Sequence, residues 1–147
     1  MRELGTHNNG MPEKTFKVEI VTPEGVVLSQ DDAVSIVVPG VEGSLGVLAD
    51  HAPLMVELAI GEIWIRDSDG KVTRLATSGG FVEVRRNMVS ILADTAERAE
   101  EIDIARAEEA KRRAEECLRS HAAGIDHTRA EASLERALVR IRVARGE

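Results

Sequence analysis

Near Asp94 the apolar pattern changes its period from two to about 3.6, which restricts the chain to a β unit followed by helices. Upstream, Phe16, Val18 and Ile20 alternate with Lys17 and Glu19, the signature of a strand with one buried and one wet face. A turn follows at Thr22-Pro23-Glu24-Gly25. Val34 to Val38 is a short apolar run whose β-branched content favours a buried strand over a helix. Gly61 to Arg66 and Lys71 to Ala76 flank Asp67-Ser68-Asp69-Gly70, and Phe81 to Val84 and Met88 to Leu92 flank Arg85-Arg86-Asn87, so each set reads as a hairpin. Many short strands with frequent turn signals predict an α+β protein: an N-terminal antiparallel β sandwich or barrel over residues 14–94, then a two-helix antiparallel hairpin over 95–147. Residues 1–13 hold almost no large apolar side chains and read as a flexible leader, or as a start placed ahead of Met11.

Composition excludes several functions. A net charge of −7 lacks the basic face that displaces counterions from phosphates, so no nucleic acid is expected as a partner. No stretch approaches the roughly 20 apolar residues of a membrane span, so direct membrane insertion is not expected, although attachment to a membrane-bound assembly is open. A single cysteine, Cys117, cannot form an internal disulfide, suits a reducing compartment and reads as a partly buried thiol. The acidity belongs to the β part: residues 1–94 carry 8 basic and 14 acidic side chains, and 95–147 carry 11 and 12.

The helical runs, Asp103 to Ser120 and Asp126 to Ala144, are separated at His121-Ala122-Ala123-Gly124. Ala107, Ala110, Ala114, Cys117 and Leu118 form one stripe, and Ala130, Leu134, Ala137, Leu138 and Ile141 the other. Burying an alanine methyl yields about 0.8 kcal/mol, against roughly 1.5–3 for leucine or isoleucine. Ordering a residue's backbone costs about 1–2 kcal/mol. A hairpin with such a seam lies near balance, and a ligand or partner can decide its state; the alternative is a permanently docked pair.

If the break centres on Ala123, Arg106 lies 17 residues before it and Arg140 lies 17 after it, so an antiparallel hairpin sets them at one height. Arg136 is one turn from Arg140 on the same face. Three guanidinium groups gathered there invite an anion, for arginine pairs bidentately with phosphate oxygens. Asp103 and Glu97 lie close enough in sequence to accept from a base or ribose. The same arginines can instead pair with Glu131, Glu135 and the acidic first helix as a solvated lattice, and an Arg-rich last turn also complements the helix dipole.

Other motifs read as structural. Gly43, Gly46 and Gly79-Gly80 suggest backbone conformations or close approaches that a Cβ forbids. The stretch Gly40 to Gly46 lacks the Lys-Ser/Thr ending of a phosphate loop. His51 and Ser78 resemble part of a catalytic dyad, but nothing in the sequence supplies a third member or an oxyanion site, and no catalytic residue is expected. Asp31-Asp32 reads as a turn, and the scattered histidines and cysteine show no metal-ligand spacing.

Three motifs, in order, resemble a known family. Gly43-Ser44-Leu45-Gly46-Val47-Leu48-Ala49-Asp50-His51-Ala52-Pro53-Leu54, then Ser78-Gly79-Gly80-Phe81-Val82-Glu83-Val84, then Ala96-Glu97-Arg98-Ala99 leading into two helices, look like the epsilon subunit of the bacterial rotary F-type ATP synthase over roughly Phe16 to Ala144. The resemblance implies an N-terminal antiparallel β sandwich of about ten strands that binds the gamma subunit and rests on the c-ring as part of the rotating central stalk. It implies a tail that folds onto the sandwich or extends into the alpha/beta catalytic head, where it blocks hydrolysis. It implies a non-catalytic subunit, peripheral at the cytoplasmic face of the bacterial cell membrane, with no required cofactor and ATP as a regulatory ligand. Ile102-Asp103-Ile104-Ala105-Arg106-Ala107 matches the family's ATP-binding motif, completed by Arg136 and Arg140. By resemblance Glu97, Asp103 and Ala107 serve the nucleoside, and Arg106, Arg136 and Arg140 the phosphates. A free-standing nucleotide-sensing module is the alternative.

Overall fold

The computed structural model describes residues 13–147, so the predicted leader lies almost wholly outside the described residues. The strands are β1 (Phe16–Thr22), β2 (Gly25–Gly40), β3 (Gly43–Leu48), β4 (Leu54–Leu58), β5 (Gly61–Asp67), β6 (Val72–Thr77), β7 (Gly80–Arg85), β8 (Met88–Ala93) and β9 (Ala96–Arg98). A 3-10 turn at Ala99–Glu101 leads into α1 (Ile104–Arg119) and α2 (His127–Arg145). The strands run in the order β1-β8-β7-β4-β2-β5-β6-β9 with β3 on β2, and β1 also pairs with β2, folding the sheet back on itself as a sandwich. The period-two residues fill its interior: Val18, Ile20, Ile36, Ile63, Ile65, Leu75, Val82 and Ile91 are fully buried. Each such side chain contributes roughly 1.5–3 kcal/mol of transfer free energy.

The sheet departs from expectation in three ways. First, Asp31 and Asp32 lie inside the 16-residue β2 and not in a turn, although the nine strands among the described residues accord with the sandwich expected. The change of direction expected there is absorbed by a register shift between Ala33 and Ser35, where β2 passes from pairing with β1 to pairing with β5. Secondly, β1 and β8 are parallel, since a sheet that closes through strands distant in sequence is not bound to hairpin geometry. Thirdly, strand structure runs past Asp94: Ala96–Arg98 pairs with β6, Glu97 lying opposite Ala76. The two predicted hairpins form. In the first, the Asp67 side chain accepts from the backbone N–H of Asp69 and Lys71, each at 2.9 Å.

The helices begin as the sequence predicts. Asp103 and Asp126 cap them, each side chain accepting a backbone N–H three residues on, from Arg106 and Arg129, at 3.0 Å. The α2 end is a Schellman turn, with Gly146 at φ +71, Gly146 N–H on the Val143 carbonyl and Glu147 N–H on the Arg142 carbonyl. Ala107 and Ala114 of α1 are buried, as are Ala130, Ala137 and Ile141 of α2, so the seam is largely alanine. Cys117 is exposed rather than partly buried, and Leu138 is 41% exposed. A second apolar face on α2 takes their place: Val139 and Val143 pack with Ile102 and Ala76 of the sandwich.

Gly80 has a stringent steric requirement. It sits at φ +133, and a Cβ there lies 2.1 Å from the Leu92 carbonyl oxygen, whereas Gly46 has open space around it and no positive φ. The close approach expected at both therefore holds at Gly80 and not at Gly46. Gly80→Ala is expected to cost roughly 2–3 kcal/mol by denaturant unfolding, with Gly46→Ala close to wild type.

Candidate functional site

Three elements converge beside the β1–β2 turn. Ile102 is buried against Val139 and Val143, which pins the start of α1 to the sandwich and α2 together. From that anchor Asp103 caps the helix, Arg106 projects from its first turn into solvent, and Ala107 turns inward to the seam. Across from them, Arg140 Nε of α2 donates to Glu97 Oε1 of β9, both side chains being partly exposed.

These residues border an open cleft of about 990 Å³ between the hairpin and the sandwich. Glu97, Asp103, Arg106, Ala107 and Arg140, five of the six residues predicted from sequence, line it. Arg136 does not. It faces an adjoining shallow depression with Arg140, Thr77, Ser78 and Thr95, and donates to Ser133 Oγ at 3.0 Å. Arg140 thus stands between the two hollows, with Arg106 on one side and Arg136 on the other.

Sequence reasoning missed part of the lining. Arg113 also borders the cleft, one heptad beyond Arg106 with Ala110 between them. That helical spacing was readable in advance. Thr22 to Val27 and Asp94 line it from the sheet, and only the tertiary fold brings those segments to the hairpin. Three basic side chains, Arg106, Arg113 and Arg140, thus border the cleft, together with the carboxylates of Glu24, Asp94, Glu97, Glu101 and Asp103. Among the described residues no group of His, Cys, Asp and Glu is arranged to hold a metal ion. His51 Nδ1 lies 2.7 Å from the Ala52 carbonyl, and Ser78 Oγ shares a 2.6 Å hydrogen bond with Thr95 Oγ1, so each is committed to a different partner.

A second surface escaped sequence reasoning. Met55, Phe81 and Leu92 are 65%, 53% and 61% exposed on the adjacent strands β4, β7 and β8, with Phe81 directly opposite Leu92. Alternation places polar residues at such positions, and Glu57, opposite Phe81, and Glu83, opposite Met55, obey it. A clustered exposed apolar face rimmed by acids has the character of a protein contact surface. Within the described residues no helix is long and apolar enough to cross a membrane.

The family model for the ATP synthase, Delta/Epsilon chain, beta-sandwich domain matches residues 15–99, and that for the ATP synthase, Delta/Epsilon chain, long alpha-helix domain matches residues 100–145. The ATP synthase epsilon chain of Symbiobacterium thermophilum is 54% identical over 129 residues, 88% of this chain and 92% of that protein. That of Moorella thermoacetica is 48% identical over 130 residues, 88% and 96% respectively. A chain in the Euglena gracilis mitochondrial ATP synthase structure, OSCP/F1/c-ring in rotational state 1, superposes with a TM-score of 0.73 at 26% identity, over 92% of this chain and 84% of that one. A chain of the Tetrahymena thermophila mitochondrial ATP synthase central stalk and c-ring, 16% identical over 92% of this chain and 98% of that one with a TM-score of 0.53, shares the fold.

Because Asp103 uses its carboxylate as a helix cap, its structural and ligand roles separate by substitution. Asp103→Ala is expected to cost about 1 kcal/mol in chemical unfolding and Asp103→Asn a few tenths at most, since asparagine caps as well as aspartate.

Proposed function

The chain belongs to the ATP synthase delta/epsilon chain family, and from that premise we propose that it is a non-catalytic regulator of the rotor whose hairpin folds on ATP and opens to restrain hydrolysis. Membership of the ATP synthase complex, in its central stalk, follows from the family and from the structural likeness. The sandwich docks on the gamma subunit through the Met55, Phe81 and Leu92 face, with the c-ring as its second neighbour. The assembly is peripheral, at the cytoplasmic face of the bacterial cell membrane.

One observation supports the nucleotide reading above others: Arg106 from α1, Arg140 from α2 and Glu97 from the sandwich border one cleft. A ligand that touches all three favours the folded arrangement over the open one. Arg106, Arg113 and Arg140 serve the phosphates, with Arg136 joining from its depression by a change of rotamer. Asp103, Ala107 and Glu97 serve the nucleoside. ATP shifts the equilibrium only by its differential affinity for the folded form. The alanine seam keeps the required difference small, since few large side chains must be exposed as the hairpin leaves. With nucleotide scarce, the hairpin extends toward the alpha/beta catalytic head and obstructs rotation. A free-standing sensor has no use for the exposed apolar face, which favours a subunit built to be covered.

Isothermal titration of the isolated protein with ATP is expected to give one site, weakened at least tenfold in Arg106→Ala and Arg140→Ala. Unchanged affinity in both variants removes the nucleotide reading. In the assembled complex, deletion of residues 103–147, which spares β9, is expected to raise ATP hydrolysis under nucleotide-poor conditions. A truncated complex no faster than the intact one removes the inhibitory reading. Phe81→Asp is expected to abolish co-purification with gamma while the isolated chain still folds, because Phe81 is exposed.

A further inference from the structure

Away from the cleft, the outer face of β5 and β6 holds the far end of α2. Glu62 and Trp64 project from β5 toward α2, opposite Ala76 and Arg74 of β6. Arg74 Nε donates to Glu62 Oε1, and its guanidinium stacks on the Trp64 ring, 4.7 Å from the centroid. The hydrogen bond that Arg74 donates to Glu62 raises its guanidinium above the ordinary range. Both side chains are largely covered, at 10% and 15% exposure. Two further bonds arrive only with the helix: Arg142 Nε stands 3.6 Å from Glu62 Oε2, and Arg74 Nη2 donates to the Glu147 carbonyl at 2.7 Å. The Schellman turn at Gly146 orients that carbonyl toward the sheet.

We propose that Glu62 and Arg74 form a pre-set ionic clamp on the sandwich, which grips Arg142 and the Glu147 carbonyl and sets how readily the hairpin leaves when no nucleotide is bound. The clamp rests on the reading that the hairpin opens, but not on what fills the cleft. Glu62 and Arg74 come from paired strands and keep each other when α2 departs, so no buried charge is orphaned. What departure forfeits is one charge-assisted hydrogen bond and one partly exposed ion pair. Such bonds carry little weight against a large core, but here they compete with an alanine seam and the Val139 and Val143 contact. The clamp is therefore of the right size to bias the equilibrium without locking it.

The test uses the full chain without nucleotide, comparing wild type, Glu62→Gln, Arg142→Gln and the control Arg112→Gln, whose partners Glu109 and Glu116 lie within α1. Small-angle scattering reads the extended fraction, and acrylamide quenching of Trp64, the single tryptophan, reads uncovering of the β5–β6 face. The expected result is an extended-to-folded ratio raised about two- to fivefold in Glu62→Gln and Arg142→Gln and unchanged in Arg112→Gln. Should Glu62→Gln fold poorly, Arg142→Gln decides, since its side chain is a surface group. Scattering and quenching equal to wild type in Arg142→Gln overturn the clamp. Adding ATP to wild type is a separate arm. Closure by ATP with no effect of the clamp variants sinks the clamp and spares the nucleotide site, whereas opening by the variants with no response to ATP does the reverse.

Discussion

Helix α2 is buried on two sides, and the arrangement of everything beyond β9 depends on that. One stripe, Ala130, Ala137 and Ile141, receives α1; the other, Val139 and Val143, lies on Ile102 and Ala76. Because the helix has to satisfy both partners at once, its rotation about its own axis is defined. That rotation aims Arg140 at Glu97, Arg142 at Glu62 and Arg145 at Glu108. Helix α1 is held through α2 and through Ile102.

Small side chains at the hairpin seam and polar contacts at its margins give the tail a character unlike that of the sandwich. The interior of the sandwich is a continuous set of isoleucine, valine and leucine side chains at essentially zero exposure. Removing any one leaves a cavity with its own cost. The contact between α2 and the sheet is a few residues wide, and its ionic partners, Glu97 and the Glu62–Arg74 pair, are reachable by water once the helix lifts. The sandwich and the tail therefore differ in how they are held, because the same chain uses bulky apolar packing in one and alanine with charge in the other.

The outer faces of the sandwich divide between these tasks. The β5–β6 face carries the hairpin, while the β4–β7–β8 face leaves Met55, Phe81 and Leu92 uncovered. A sandwich must bury only its inner faces to fold, so its two outer faces are free to differ.

Local pattern alone was enough for the strands from Phe16 to Ile20 and the two hairpins, and for both helices, because period and turn chemistry are properties of adjacent residues. It was also enough to place Arg106 and Arg140 beside one cleft, since an antiparallel hairpin is nearly one-dimensional. It could not show that Asp31 and Asp32 continue a strand, that β1 runs parallel to β8, or that Val139 and Val143 face the sheet. Nor could it separate Arg136 from the cleft, or join Glu62 and Arg74 to residues of the last turn. Those outcomes are contacts between segments far apart in sequence, decided by which surfaces remain exposed after the core has closed.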